Sequence, residues 1–270
     1  MPITFDARQI VETSDVLIIW TAMDRDMLNG YYGDVIHVIH GESDWSRTCA
    51  AANVDIVDLY VGVSESASAI APVGRRVETI TNAVDVWRLN SRATRQRLRA
   101  VNGIDPSDIV VGFVGRFDPD KEPLLAAAAA KEIGGVAVYC TPGVPGWERQ
   151  VSDVCDRVVV IDPAAPGDAY AMADVIVHGS RHEGFGLVYI EALASGVPLV
   201  ARPCGVLRHE SHAKDFVSID EYDTIGDAVM AAVDMEVRSL AMRQAYCDVD
   251  RFAAQWERVL GYGLTLHATR

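Results

Sequence analysis

Short runs of β-branched and other apolar residues recur along the chain, with polar or helix-compatible stretches between them. These runs predict strands at Val16–Trp20, Val35–Ile39, Ile56–Val61 and Glu78–Ile80. A second series follows at Ile109–Val114, Val136–Tyr139, Val158–Ile161, Val175–His178 and Pro198–Ala201. An unbroken run such as Val158-Val159-Val160-Ile161 suits a strand covered on both faces. Helices are expected over Leu124–Ile133, Gly146–Val154, Ala169–Ala173 and Leu187–Ala194, and the alanine run Ala126–Ala130 strengthens the first. Strand alternating with helix predicts parallel sheets in an α/β protein. A polar, arginine-containing seam near residues 82–108 parts the two strand series. Two α/β units are therefore expected, about 1–85 and 86–255, with a tail, 256–270, able to pack back on the first.

Composition narrows the field. Half of the 270 residues are hydrophobic and 23% are charged, enough apolar material for real cores. The formal net charge of -14 argues against nonspecific nucleic-acid binding. The five cysteines, Cys49, Cys140, Cys155, Cys204 and Cys247, are scattered and form no C-x-x-C pair. Neither a disulfide framework nor a zinc site is expected, and a reducing cytoplasm fits best. No signal peptide and no membrane-spanning run is read from the sequence, which leaves peripheral association with a membrane open.

The segment from His178 to Pro198 carries the most chemistry. A strand ends near His178, a glycine turn follows, and a helix begins near Leu187. Glycines let the backbone approach a ligand closely. The free N–H groups at the helix start, with the helix dipole, favour a diphosphate there. Glu191 lies about one turn into the helix, where its carboxylate can accept hydrogen bonds from two ribose hydroxyls. Glu183, before the helix, is placed to accept hydrogen bonds from sugar hydroxyls. A plain strand-turn-helix with a solvated Glu191 and a capping Glu183 is the bland alternative for these few residues.

The whole string is more specific. Glu183-Gly184-Phe185-Gly186, Glu191 and the continuation Glu191-Ala192-Leu193-Ala194-Ser195-Gly196-Val197-Pro198 resemble the E-x7-E signature of family four retaining glycosyltransferases. Val114-Gly115-Arg116-Phe117-Asp118-Pro119-Asp120-Lys121-Glu122 is similar to that family's glycine-arginine loop, with Glu122 standing where the family usually has glycine. Val61–Glu65 and Asn82-Ala83-Val84-Asp85 are similar to its strand-end serine and interdomain motifs, with Ala83 for the family's glycine. His40-Gly41 is similar to the strand-end His-Gly of its first domain.

The resemblance implies a GT-B-like α/β fold: two Rossmann-like parallel-sheet domains with a cleft between them, the first one truncated. It implies a metal-independent, retaining transfer of a sugar from a UDP-sugar or GDP-sugar donor, with no other cofactor. Gly184, Phe185, Gly186, Leu187 and Glu191 would bind the donor, and Arg116 and Lys121 would grip its diphosphate. As the glycosidic bond breaks, negative charge builds on the leaving oxygen, and cations at Arg116 and Lys121 would stabilise it. Glu183 would position the sugar. His40 would bond a sugar hydroxyl or stabilise the cationic transition state through its carbonyl.

Other candidates rank lower. Asp118-Pro119-Asp120 is a D-x-D, discounted as a metal site because it falls inside the Arg116–Lys121 loop. His37 is expected to pack, being on the other strand face from His40. Asn82 and Asp85 read as structural, and His178 and His182 flank the turn. Arg88, Arg92, Arg95, Arg97 and Arg99, with Arg75 and Arg76 before them, read first as a solvated helix face and second as a site for an anionic acceptor. The acceptor itself is not named by the sequence. A shortened first domain would expose a sheet edge, which a homodimer or a partner subunit would cover. It also motivates the competing reading, a noncatalytic subunit that binds nucleotide or stabilises a partner enzyme.

Overall fold

A computed structural model describes residues 15–266, apart from 24, 29–30, 86–88 and 92. The chain divides into two compact units. The first contains residues up to Asn82, the short segment His182–Phe185, and residues from Val249 onward; the second contains Ala83–Arg181 and Gly186–Asp248. This differs from the expected division in two places. The segment 182–185 packs with the first unit although the sequence around it belongs to the second, and the returning C-terminal part starts at Val249, not at residue 256.

The first unit is a parallel sheet of β1 (Val16–Ile19), β2 (Asp34–Ile39), β3 (Leu59–Gly62) and β4 (Val77–Thr79), in that spatial order. Every residue of β2 and β3 is buried, as befits central strands covered on both faces, and in β2 this includes the polar Asp34 and His37. Helix α1 (Asp44–Ala52) follows β2, and the single turn α2 (Glu65–Ser68) follows β3. The C-terminal helix, Val249–Leu266, packs on β1 and β2. The strand expected from Ile56 begins only at Leu59, because residues 53–56 form a turn after α1. Asp58 then accepts a hydrogen bond from the Val35 amide at 3.0 Å, which fixes the start of β2 against β3.

The second unit is a six-stranded parallel sheet. Its elements are α3 (Arg95–Val101), β5 (Val110–Val114), α4 (Leu124–Glu132), β6 (Val136–Cys140), α5 (Trp147–Ser152), β7 (Val158–Ile161), α6 (Pro166–Met172), β8 (Val175–His178), α7 (Leu187–Ala194), β9 (Leu199–Ala201), β10 (Val217–Ser218), α8 (Ile225–Val233) and α9 (Ser239–Tyr246). The spatial order is β10-β9-β8-β5-β6-β7. The core gathers Val111, Phe113, Tyr139, Val175 and Val177 from the strands with the buried alanines of α4 and α8.

That order reverses direction between β5 and β8: the chain leaves β5 toward β6 and leaves β8 toward β9. Right-handed crossovers then send α4 and α7 to opposite faces of the sheet. The carboxyl ends of strands at such a reversal are the usual ligand position in sheets of this type.

The arginines of the seam are not a solvated face throughout. Arg99 is buried and donates to the Met172 carbonyl at 2.7 Å, the Asp108 carbonyl at 3.0 Å and Asp174 Oδ2 at 2.6 Å. Arg95 also pairs with Asp174 and donates to the Ala173 carbonyl at 2.7 Å. These two tie α3 to α6 and to the start of β8, a structural use of the charge that the expected solvated face did not include. Arg97 is exposed, and Arg88 and Arg92 lie outside the described residues. Among the described residues, no helix is long and apolar enough to cross a membrane.

Candidate functional site

Two groups of the sequence-predicted residues are assembled, one in each unit. In the second, the loop after β5 carries Arg116 and Lys121. Phe117 anchors this loop by packing against Tyr139 and Trp147. Asp118 caps the 3-10 turn Pro119–Lys121 by accepting from the Asp120 amide at 3.1 Å, so the D-x-D aspartate has a local structural task. The Arg116 side chain is 73% exposed and lies 3.5 Å from Asp118, a weak surface ion pair that a ligand can replace. Lys121 is half-buried at the end of the turn.

The loop after β8 leads into α7 through Gly186, whose φ of 87° lies in the left-handed region. A Cβ there would stand 2.3 Å from the Tyr189 ring, so glycine is required on both counts. Gly186 offers α7 no side-chain cap. The first amides of the helix, Leu187 included, therefore remain as donors at its positive end. Glu191 is half-buried on the same helix, and the Tyr170 hydroxyl donates to its Oε2 at 2.6 Å. Tyr170 comes from α6 and was not singled out from the sequence; a tyrosine in an apolar helix carries no local sign that its hydroxyl meets a carboxylate 21 residues away.

Beside these, Glu122 accepts from Arg181 at 2.6 Å and from Arg202 at 2.9 Å, and Arg202 also donates to the Gly179 carbonyl. This cluster staples the β5 loop to the β8 loop. The sequence showed Glu122 only as a departure from the expected glycine. His178 is buried, stacked on Phe113 and edge-on to Tyr189, which makes it a packing residue beneath the loop. Among the described residues, no group of three or more His, Cys, Asp or Glu side chains is arranged to hold a metal.

In the first unit, the segment His182–Phe185 docks on the carboxyl ends of β2 and β3. Ser64 caps α2 by accepting from the Ala67 amide at 3.1 Å, and its hydroxyl donates to the Gly184 carbonyl. A Cβ on Gly184 would fall 1.6 Å from the His40 carbonyl oxygen, so this turn closes on His40 only because residue 184 is glycine. His40, Ser64 and Gly184 are thus brought together, with half-buried Glu183 and buried Phe185 on either side of the glycine. The His40 ring is exposed, as is His182. His37 is buried, its Nδ1 3.0 Å from Asn53 Nδ2, and burial lowers its pKa to about 4, with the charge of His40 a smaller cause. Asn82 ends the first unit half-buried, and Asp85 is exposed three residues later.

Two parallel-sheet α/β units, the second bearing a glycine turn at its strand-order reversal, define a GT-B type of fold. Solved structures agree: the fold is similar to sucrose-phosphate synthase from Thermosynechococcus elongatus, at TM-score 0.76 and 18% identity, covering 100% of this chain and 82% of that one. It is also similar to Anabaena HepE in complex with UDP and glucose, at TM-score 0.74 and 19% identity, covering 94% and 80%. Residues 108–234 match the family model described as Glycosyl transferases group 1. A D-inositol 3-phosphate glycosyltransferase of Mycobacterium sp. strain KMS is 32% identical over 145 residues, 49% of this chain. The matched part spans 33% of that relative's length.

Proposed function

We propose that this chain transfers a sugar from a nucleoside-diphosphate sugar to an acceptor, with retention of configuration and without a metal ion. One observation carries the reading: the glycine turn after β8 feeds an uncapped α7 whose Glu191 is held by Tyr170. A helix start of this kind is an anion site, and a fixed carboxylate one turn further suits a ribose. The UDP complex reported for Anabaena HepE, a structure of the same fold, supports a uridine donor among the candidates.

In this reading the diphosphate lies on the amides of Gly186 and Leu187, and Glu191 accepts from the ribose hydroxyls. Arg116 and Lys121 neutralise the charge that grows on the leaving oxygen, the role a metal ion would otherwise fill. Glu183, eight residues before Glu191, holds the sugar, and His40 donates to one of its hydroxyls. The bond to the diphosphate breaks through an oxocarbenium-like state, the acceptor attacks on the same face, and the leaving phosphate takes the acceptor's proton.

The test is calorimetric titration of UDP and GDP, with and without magnesium, into wild type and Glu191→Ala. One nucleotide is expected to bind equally well with and without magnesium and to bind at least about tenfold more weakly to the variant. Absence of binding by folded protein would remove the enzyme reading in favour of the noncatalytic subunit. Binding that depends on magnesium would remove the metal-free part alone.

A further inference from the structure

The first unit holds a cavity of about 160 Å³ at the carboxyl end of β2, flanked by Trp20 and Trp45 and reached by His37, His40 and Ser46. The two tryptophans are 62% and 61% exposed, and both line the cavity. Exposing two indoles so fully in one place costs apolar hydration and explains nothing in the core.

Both are firmly mounted. Trp20 directly follows β1, and the residues after it are pinned by Asn53. Its side-chain nitrogen donates to the Thr21 carbonyl at 2.7 Å, and its oxygen accepts from the Met23 amide at 2.9 Å. Asn53 is fully buried and also meets His37. Trp45 stands in the first turn of α1, which Ser43 caps by accepting from the Ser46 amide at 3.3 Å. Rigid mounts of this kind lower the ordering cost of binding.

We propose that Trp20 and Trp45 wall a subsite for an uncharged pyranose ring of the acceptor, with Ser46 bonding one of its hydroxyls. The inference rests on the glycosyltransferase reading and adds the acceptor's chemical class to it. A pyranose presents a face of C–H bonds carrying partial positive charge, which matches the negative face of an indole, while its edge presents hydroxyls. The cavity has the share of liquid volume of roughly five waters, suited to one ring and too small for a long chain. No lysine or arginine lines it, and Glu42 and Asp44 follow the strand end in the chain, so the charge disfavours a phosphorylated acceptor and an anionic lipid surface alike.

Methyl glycosides of glucose, galactose, mannose and N-acetylglucosamine are to be titrated with UDP present, followed by saturation-transfer NMR and tryptophan fluorescence. The proteins are wild type, Trp20→Ala, Trp45→Ala and Trp45→Phe, each first shown to be folded by circular dichroism. At least one glycoside is expected to bind wild type, about tenfold more weakly to each alanine variant, and within about threefold of wild type to Trp45→Phe. UDP affinity is expected to stay unchanged in all three variants. Glycoside binding that persists in both alanine variants overturns the subsite, as does UDP binding with no glycoside binding. Preference for glucose 6-phosphate, or tryptophan-dependent binding to phosphatidylglycerol vesicles in place of glycosides, overturns it too. Tryptophan-dependent glycoside binding without any UDP binding would uphold the subsite and remove the donor reading.

Discussion

Glu122 combines an unfavourable backbone with a favourable side chain. Its φ of 45° and ψ of 54° are left-handed, and it is the one non-glycine residue with positive φ among those described. For an L residue that conformation costs about 1–2 kcal/mol. The offset comes from the carboxylate, which holds half-buried Arg202 and the more exposed Arg181 and so joins the loops after β5 and β8. Two substitutions separate the contributions. Glu122→Ala loses both ion pairs and keeps the strain, whereas Glu122→Gly loses the pairs and relieves it. In urea unfolding the glycine variant is expected to be the more stable of the two by about 1 kcal/mol, with both below wild type. Equal midpoints would show that the backbone at 122 is not strained. A glycine variant above wild type would show that the arginine pairs contribute less than the relief of strain.

At the scale of elements, α7 and α6 act together through the hydroxyl of Tyr170 on Glu191. If that bond aims the carboxylate at a ribose, Tyr170→Phe should weaken UDP binding by about threefold to tenfold while leaving the melting temperature within a few degrees. The same change in a Glu191→Ala background should have no further effect on UDP, because the group it orients is gone. Independent losses in the double variant would place Tyr170 elsewhere in the mechanism. The elements themselves were unevenly legible. Strands such as Val158–Ile161 and Val175–His178, and helix Leu187–Ala194, were readable to the residue, since apolar runs and a glycine start act locally. The helical face at Arg95–Val101 was legible but the structural use of its charge was hidden, because its arginines look solvent-facing until Asp174 and the end of α6 appear beside them. Tyr170, Arg181, Arg202 and Asn53 were hidden for the same reason: each acts on a group far away in the chain. The motif from Glu183 to Glu191 was legible as a string, but its division between two units is a tertiary fact that no local pattern records.

At the scale of the whole molecule, the division into two units sets how a ligand stabilises the protein. Each unit has its own sheet and its own buried strands, so each can open with its own free energy. The proposed contacts to diphosphate and ribose, at Arg116, Lys121, Gly186, Leu187 and Glu191, all fall in the second unit. A ligand stabilises whatever must be folded to bind it, by about 2.7 kcal/mol at a hundred times its dissociation constant. With UDP at that level, amide exchange in β5, β6 and β8 should slow by about a hundredfold wherever it proceeds by unfolding of the second unit. Amides of β2 and β3 should slow less, and Glu191→Ala should abolish the difference at the same UDP concentration. Equal slowing in both sheets would mean that the chain opens as one cooperative body. No slowing in β5, with binding still seen by calorimetry, would move the nucleotide away from the loops after β5 and β8.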